Sequence, residues 1–81
     1  NKRSAMKELI ETLVKPLVDF PEDVEVFVAK ENGNEIYRLK CNKSDLGKVI
    51  GKQGRVAKAI RTVVAAAGAS QKKKVFVEII D

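Results

Sequence analysis

The sequence predicts a two-layer α+β domain, with three helices packed on one face of a three-stranded mixed sheet. Three observations carry that expectation. Apolar residues recur at helical spacing between Met6 and Leu17. Strand-like alternation flanks the turn pair Asn32-Gly33. A second helical region, broken by Gly51-Lys52-Gln53-Gly54, leads into the β-branched run Val75 to Ile80. Helices and strands are told apart here by apolar period, near 3.6 residues for one and 2 for the other.

In the first helix, Met6, Leu9, Ile10, Leu13, Val14 and Leu17 form the apolar stripe. Pro16 removes a backbone donor and should kink or tighten the last turn. Pro21 disfavours helix at Phe20, so Asp19-Phe20-Pro21-Glu22 ends the element. Val24, Val26 and Val28 alternate with Glu25, Phe27 and Ala29 as a first strand. Asn32-Gly33 is a hairpin signal, because both residues tolerate positive φ. The return strand runs from about Glu35 to Cys41, with Tyr37, Leu39 and Cys41 on one face and Ile36, Arg38 and Lys40 on the other. Asn42 or Ser44 caps a short helix from Ser44 to Ile50, with Asp45 in its first turn. Gly47 would allow close packing within that helix. Beyond the glycine loop, the expected stripe is Val56, Ala59, Ile60, Val63 and Ala67, with Gly68 as the helix stop. The order is α-β-β-α-α-β, with an antiparallel hairpin and a last strand that returns after a helical crossover.

Eighty-one residues make one small domain with a modest core and little room for a deep catalytic cleft. At 44% hydrophobic and 33% charged residues, the composition is that of a folded domain rather than a disordered one. No apolar run reaches the roughly 20 residues of a membrane span. Cys41 is the sole cysteine, so no internal disulfide forms and a reducing, cytoplasmic setting is expected. With no histidine, the common zinc sets and the Ser-His and Cys-His nucleophile pairs are excluded. We expect no enzyme, no metal, no cofactor, no small-molecule substrate and no membrane partner. Met6 reads as the natural start of residues 6–81, and Asn1 to Ala5 as a non-native leader or a flexible basic arm.

Charge is strongly asymmetric. From Met6 to Tyr37 three lysines face eight carboxylates, a balance of −5. From Arg38 to Arg61 eight basic residues face Asp45 alone, a balance of +7. Such a localised basic surface suits a nucleic-acid backbone. A lysine-rich solvated helix face is the plainer reading.

Within the basic stretch lies Val49-Ile50-Gly51-Lys52-Gln53-Gly54-Arg55. A G-x-x-G loop between helices lets backbone approach a phosphate, since neither glycine carries a Cβ. The following helix adds free N–H groups and the positive end of its dipole. Lys52 offers a mobile point charge. Gln53 either offers its amide or only faces solvent. Lys48, Arg55, Lys58 and Arg61 supply the surrounding field, with 55, 58 and 62 on one side of the helix. Val49, Ile50 and Val56 could line an apolar floor for bases, joined by Leu39 and Cys41 from the neighbouring strand. Ordinary core is the alternative for all five. Gly47 to Lys52 is no Walker A loop, for three residues separate the glycines and Gln53 stands where Ser or Thr is needed. A tight αα-turn that needs glycine only for geometry is the structural alternative. The four aromatics, Phe20, Phe27, Tyr37 and Phe76, are expected in core or sheet rather than as a stacking platform.

This segment and the α-β-β-α-α-β order resemble the KH (K-homology) RNA-binding domain in its bacterial, type II arrangement, over nearly the whole chain from Met6 to Asp81. The opening Met6-Lys7-Glu8-Leu9-Ile10-Glu11, the segment Lys15-Pro16-Leu17-Val18 and the ending Val77-Glu78-Ile79-Ile80-Asp81 are similar to the small KhpA family. The resemblance implies that Gly51, Lys52, Gln53 and Gly54 clamp about four nucleotides of single-stranded RNA, with DNA as an alternative ligand. It further implies an RNA chaperone that pairs with a KhpB-like KH protein or with itself, and that influences cell elongation and wall homeostasis. Ala57, Ala65 and Ala66 would support helix–helix contact. The rival function is a protein-interaction module on a KH fold with little RNA binding of its own.

Overall fold

A computed structural model describes residues 5–80. Helix α1 is Ala5–Val14, followed by a 3-10 turn at Lys15–Leu17 that places Pro16 where its missing N–H costs least. Strands β1 (Glu25–Glu31) and β2 (Asn34–Lys40) form the expected antiparallel hairpin. Its turn uses positive φ at both Asn32 (52°) and Gly33 (81°). Helices α2 (Leu46–Ile50) and α3 (Arg55–Ser70) precede β3 (Val75–Ile80). The sheet order is β1-β2-β3, with β3 parallel to the central strand. The fold is therefore the α+β mixed-sheet arrangement expected. Ala5 opens α1, and residues 1–4 of the proposed leader lie outside the described residues.

One apolar layer joins the helices to the sheet. Met6, Ile10 and Val14 of α1 meet Val26, Tyr37, Leu39, Val75 and Val77 of the sheet, with Val49 of α2 and Ile60 and Val64 of α3. Ile10, Val14, Leu39, Val49 and Val64 have no exposed surface. Each such side chain contributes about 1.5–3 kcal/mol through burial. The opposite sheet face carries no helix. Phe27 and Phe76 stand on it about half exposed, and Arg38 pairs there with Glu78 at 3.0 Å.

Three local expectations need correction. The buried stripe of α3 is Ala57, Ile60, Val64 and Gly68; of the expected row Ile60 is buried and Val56 and Ala67 pack half-buried against the core, but Ala59 and Val63 are exposed. Ala57 is buried, so it is not available to a partner. Gly47 is exposed, and a Cβ there would meet nothing within 4 Å, so it serves no close packing. Gly68 does not stop its helix. It lies inside α3, and the left-handed residue at the turn is Lys72 (φ 58°).

The role of Gly68 is to admit the return strand. A Cβ there would sit 2.6 Å from Val75 Cγ2 and 3.1 Å from the Lys73 carbonyl oxygen. Gly68→Ala should therefore destabilise the fold, although alanine is the better helix former by about 1 kcal/mol. Overpacking of about 1–3 kcal/mol wins because both neighbours are held, one in a β-branched side chain and one in backbone. A thermal melt followed by circular dichroism should show Tm lowered by several degrees. An unchanged or higher Tm would contradict this account.

Candidate nucleic-acid interface

The loop between α2 and α3 owes its shape to its glycines. Gly51 has φ 79° and ψ 171°, a region in practice open only to glycine. Its N–H donates to the Gly47 carbonyl at 2.8 Å, closing α2, and its own carbonyl accepts from Gly54 N at 3.1 Å. Gln53 (φ 57°) and Gly54 (φ 74°) then take two successive left-handed conformations. Helix α3 starts at once, with no side-chain cap on its first turn. Its leading N–H groups therefore face the loop with the positive end of the dipole. A Cβ at Gly54 would meet nothing within 4 Å, whereas one at Gly51 would lie 2.4 Å from Val56 Cγ2. The first glycine is thus required twice, by conformation and by space, and the second by conformation alone.

The basic residues divide into two groups. Lys52, Arg55 and Lys58 are exposed, and none has a carboxylate partner among the described residues. Arg55 only touches the Gln53 side-chain oxygen, at 3.4 Å. Two others are already engaged. Lys48 donates to Asp19 and lies 3.6 Å from Asp45. The Asp19 carboxylate first, and Asp45 after it, hold the Lys48 ammonium above the ordinary lysine value despite some desolvation. Arg61 Nε donates to the Val77 carbonyl at 3.1 Å, tying α3 to the outer strand β3. Neither gives its charge freely to a ligand. Sequence spacing could suggest only the Asp45 contact, three residues from Lys48, because Asp19 and the Val77 carbonyl lie 29 and 16 residues from the side chains they engage.

Of the five residues proposed for an apolar floor, Leu39 and Val49 have no surface to offer. They face the helix–sheet layer, where apolar burial is strongest, and so are core. Cys41 is half-buried in a hollow it shares with Glu22, Asp23, Glu25, Lys40 and Asn42, where carboxylates would repel a phosphate. Burial pushes its thiol up, and the Asp45 carboxylate adds to the rise, so it stays a neutral thiol. Ile50 and Val56 do reach the surface beside the loop. Val56 also lines an apolar groove between α1 and α3 with Leu13, Leu17, Ala59, Ile60 and Val63. Leu17 and Val63 are 43% and 42% exposed there. The i, i+4 pair Ala59 and Val63 was legible in the sequence, but reading it as core concealed the groove.

By sequence alone Asp45 is no more than a first-turn residue of the second helix. Its carboxylate has no exposed surface. Oδ1 accepts from Asp19 N and Oδ2 from Phe20 N, both at 3.0 Å. Burial alone would push the carboxyl up. The two backbone N–H bonds and Lys48 outweigh it and hold the carboxyl below the ordinary aspartate value. The segment after α1 is thereby fastened to the start of α2, and through α2 to the glycine loop. The turn before it is capped by Asn42, whose Oδ1 accepts from Ser44 N at 2.9 Å.

A glycine loop of this geometry between two helices, on a chain whose central strand pairs antiparallel with the preceding strand and parallel with the last, defines a KH domain. A family model described as KhpA/KhpB, KH domain, matches residues 7–79, and the chain belongs to that family. It is 59% identical over 75 residues to the RNA-binding protein KhpA of Clostridium perfringens, covering 93% of this chain and all of that one. It is 53% identical over 76 residues to the RNA-binding protein KhpA of Bacillus subtilis, covering 94% of each. The family is one of KH proteins rather than of enzymes. Among solved structures the fold is similar to a variant of Aquifex aeolicus Era bound to GDP.AlF4-. The TM-score is 0.61 at 14% identity, over 91% of this chain and 29% of that one. Among the described residues no helix is long and apolar enough to cross a membrane.

Proposed function

We propose that this chain binds single-stranded RNA, holding about four nucleotides against the Gly51–Gly54 loop. The observation that carries this reading is the pairing of a glycine-only loop conformation with uncompensated cations at Lys52, Arg55 and Lys58. Phosphate oxygens would take the first N–H groups of α3 and the Lys52 ammonium. Bases would rest on Ile50 and Val56, which reach the surface beside the loop. Relatives bearing the name RNA-binding protein support the choice of RNA over another polyanion.

Lys52→Asp with Gln53→Asp tests the clamp. Both side chains are exposed, so the fold should survive. Titration of short mixed-sequence RNA, followed by NMR shifts, should move residues 50–58 in the natural chain. The double variant should bind roughly tenfold or more weakly, and affinity in the natural chain should fall steeply with salt. Equal binding by the two proteins would remove the loop from the interface. Single-stranded DNA in parallel decides ligand preference.

The finer reading is a cytoplasmic RNA chaperone that works with a KhpB-like KH protein or as a homodimer, in cell elongation and wall homeostasis. It rests on family resemblance. The α1–α3 apolar groove favours a protein contact beside the RNA, the role of an interaction module. Size-exclusion chromatography of this chain, alone and mixed with a purified KhpB-type protein, tests it. Two unshifted monomer peaks at high concentration would refute the partnership.

A further inference from the structure

Between the C-terminal half of α3 and the start of β3 lies a hollow of about 400 Å³. It is lined by Ala65, Ala69, Lys73, Lys74, Val75 and Phe76. Its walls are largely apolar, and its rim carries two lysines and a phenylalanine 50% exposed. Lys73 lies 3.6 Å from the Glu35 carboxylate, which Lys30 also approaches at 4.0 Å. Lys74 is exposed and has no carboxylate partner among the described residues. The wider charge pattern is one-sided. Residues 46–77 contain eight basic side chains and no carboxylate at all. Sixteen residues of α3 separate the two ends of this stretch, a span of about 24 Å at the helical rise.

We infer that this hollow is a second contact for single-stranded nucleic acid, taking one base against Phe76 and the alanine wall and the adjoining phosphates on Lys73 and Lys74. An exposed aromatic ring flanked by cations suits a nucleotide, because every base has a π-face and every linkage a negative charge. The carboxylate-free stretch selects an anionic chain as the occupant and disfavours a cationic peptide. The inference rests on the clamp reading, since the same strand would run from the glycine loop along α3. A ligand of about four nucleotides fills the clamp alone. Only a longer strand reaches both places.

The test compares unstructured RNA of 5 and 15 nucleotides by fluorescence anisotropy across a salt series. The proteins are the natural chain, Lys73→Gln with Lys74→Gln, Phe76→Thr, and the clamp variant Lys52→Asp with Gln53→Asp, each shown to be folded by its thermal melt. The lysine variant should bind the 15-mer roughly tenfold more weakly, with a salt slope shallower by about 1.4 from the loss of two phosphate contacts on a single strand. Phe76→Thr should weaken the 15-mer at least about fivefold, as loss of one stacked base does. Binding of the 5-mer should be unchanged in both. Unchanged 15-mer affinity and salt slope would overturn the second contact. So would an equal loss for both lengths, which marks a general charge effect. If the clamp variant binds normally while the hollow variants lose the 15-mer, the clamp reading fails and the hollow stands. If the natural chain binds neither length, both fail.

Discussion

Gly51→Ala should cost this domain most of its stability, while Gly54→Ala should cost little. The two positions look alike in sequence and both have positive φ, 79° and 74°. At Gly54 the conformation is left-handed helical (ψ 14°) and the space where a Cβ would go is open. Alanine there pays only the left-handed penalty, about 1–2 kcal/mol. At Gly51, ψ is 171°, a region that costs a side-chain-bearing residue about 1–3 kcal/mol. The added methyl would also lie 2.4 Å from Val56 Cγ2 and 2.8 Å from Val56 N. Relief requires moving the first turn of α3, not swinging a flexible side chain, which adds about 1–3 kcal/mol. The sum, about 2–6 kcal/mol, is comparable with the whole stability of a small domain. Urea unfolding of the two variants checks it. Equal midpoints would show that the loop does not have this geometry.

Asp45→Ala should destabilise nearly as much, by a different mechanism. The carboxylate is fully buried and is the acceptor for Asp19 N and Phe20 N. Its removal leaves the two backbone donors without their acceptor beside a void, and Lys48 with Asp19 alone. A fall in Tm on the order of 10 °C is expected for a domain of this size. Asp45→Asn should rescue little, because an amide offers one oxygen and turns a donor toward the second N–H. The pH dependence carries a sign. The folded-state carboxyl is held below its ordinary value of 3.8, so its contribution is complete well above that value. It is lost as pH falls through 3.8 toward the lower folded-state value. The natural chain should thus lose stability on acidification below about pH 4 more steeply than Asp45→Asn. Parallel acid-limb profiles would argue against the staple. Because Asp45 secures the segment leading into the loop, RNA affinity of the folded fraction should drop as well.

Much of the fold was legible in the chain because its signals are local. The α1 stripe, the Asn32-Gly33 turn and the β-branched run at 75–80 each declare an element within a window shorter than 15 residues. The placing of Gly51 at a helix junction was legible for the same reason. Other readings failed where two local answers fit equally well. On α3 the rows through Ala59 and Val63 and through Ala57 and Val64 are both apolar. Only the position of α1 and the sheet chose the second, and the first was left to line an open groove. The basic residues near the loop form one block in sequence, yet Lys48 and Arg61 are engaged by Asp19 and by the Val77 carbonyl.

The sequence by itself determined the order of elements, the glycine loop and the concentration of positive charge around it. Periodicity, turn propensity and net charge depend on near neighbours, and these are printed in the chain. Tertiary structure alone decided which cations remain free, which apolar side chains reach the surface, and that Asp45 is a buried fastening rather than a helix-start residue. Those outcomes depend on contacts between distant segments: Asp45 meets its two donors across 25 and 26 residues. Burying a carboxylate is favourable only where such donors converge on it, and their convergence is a property of the assembled fold.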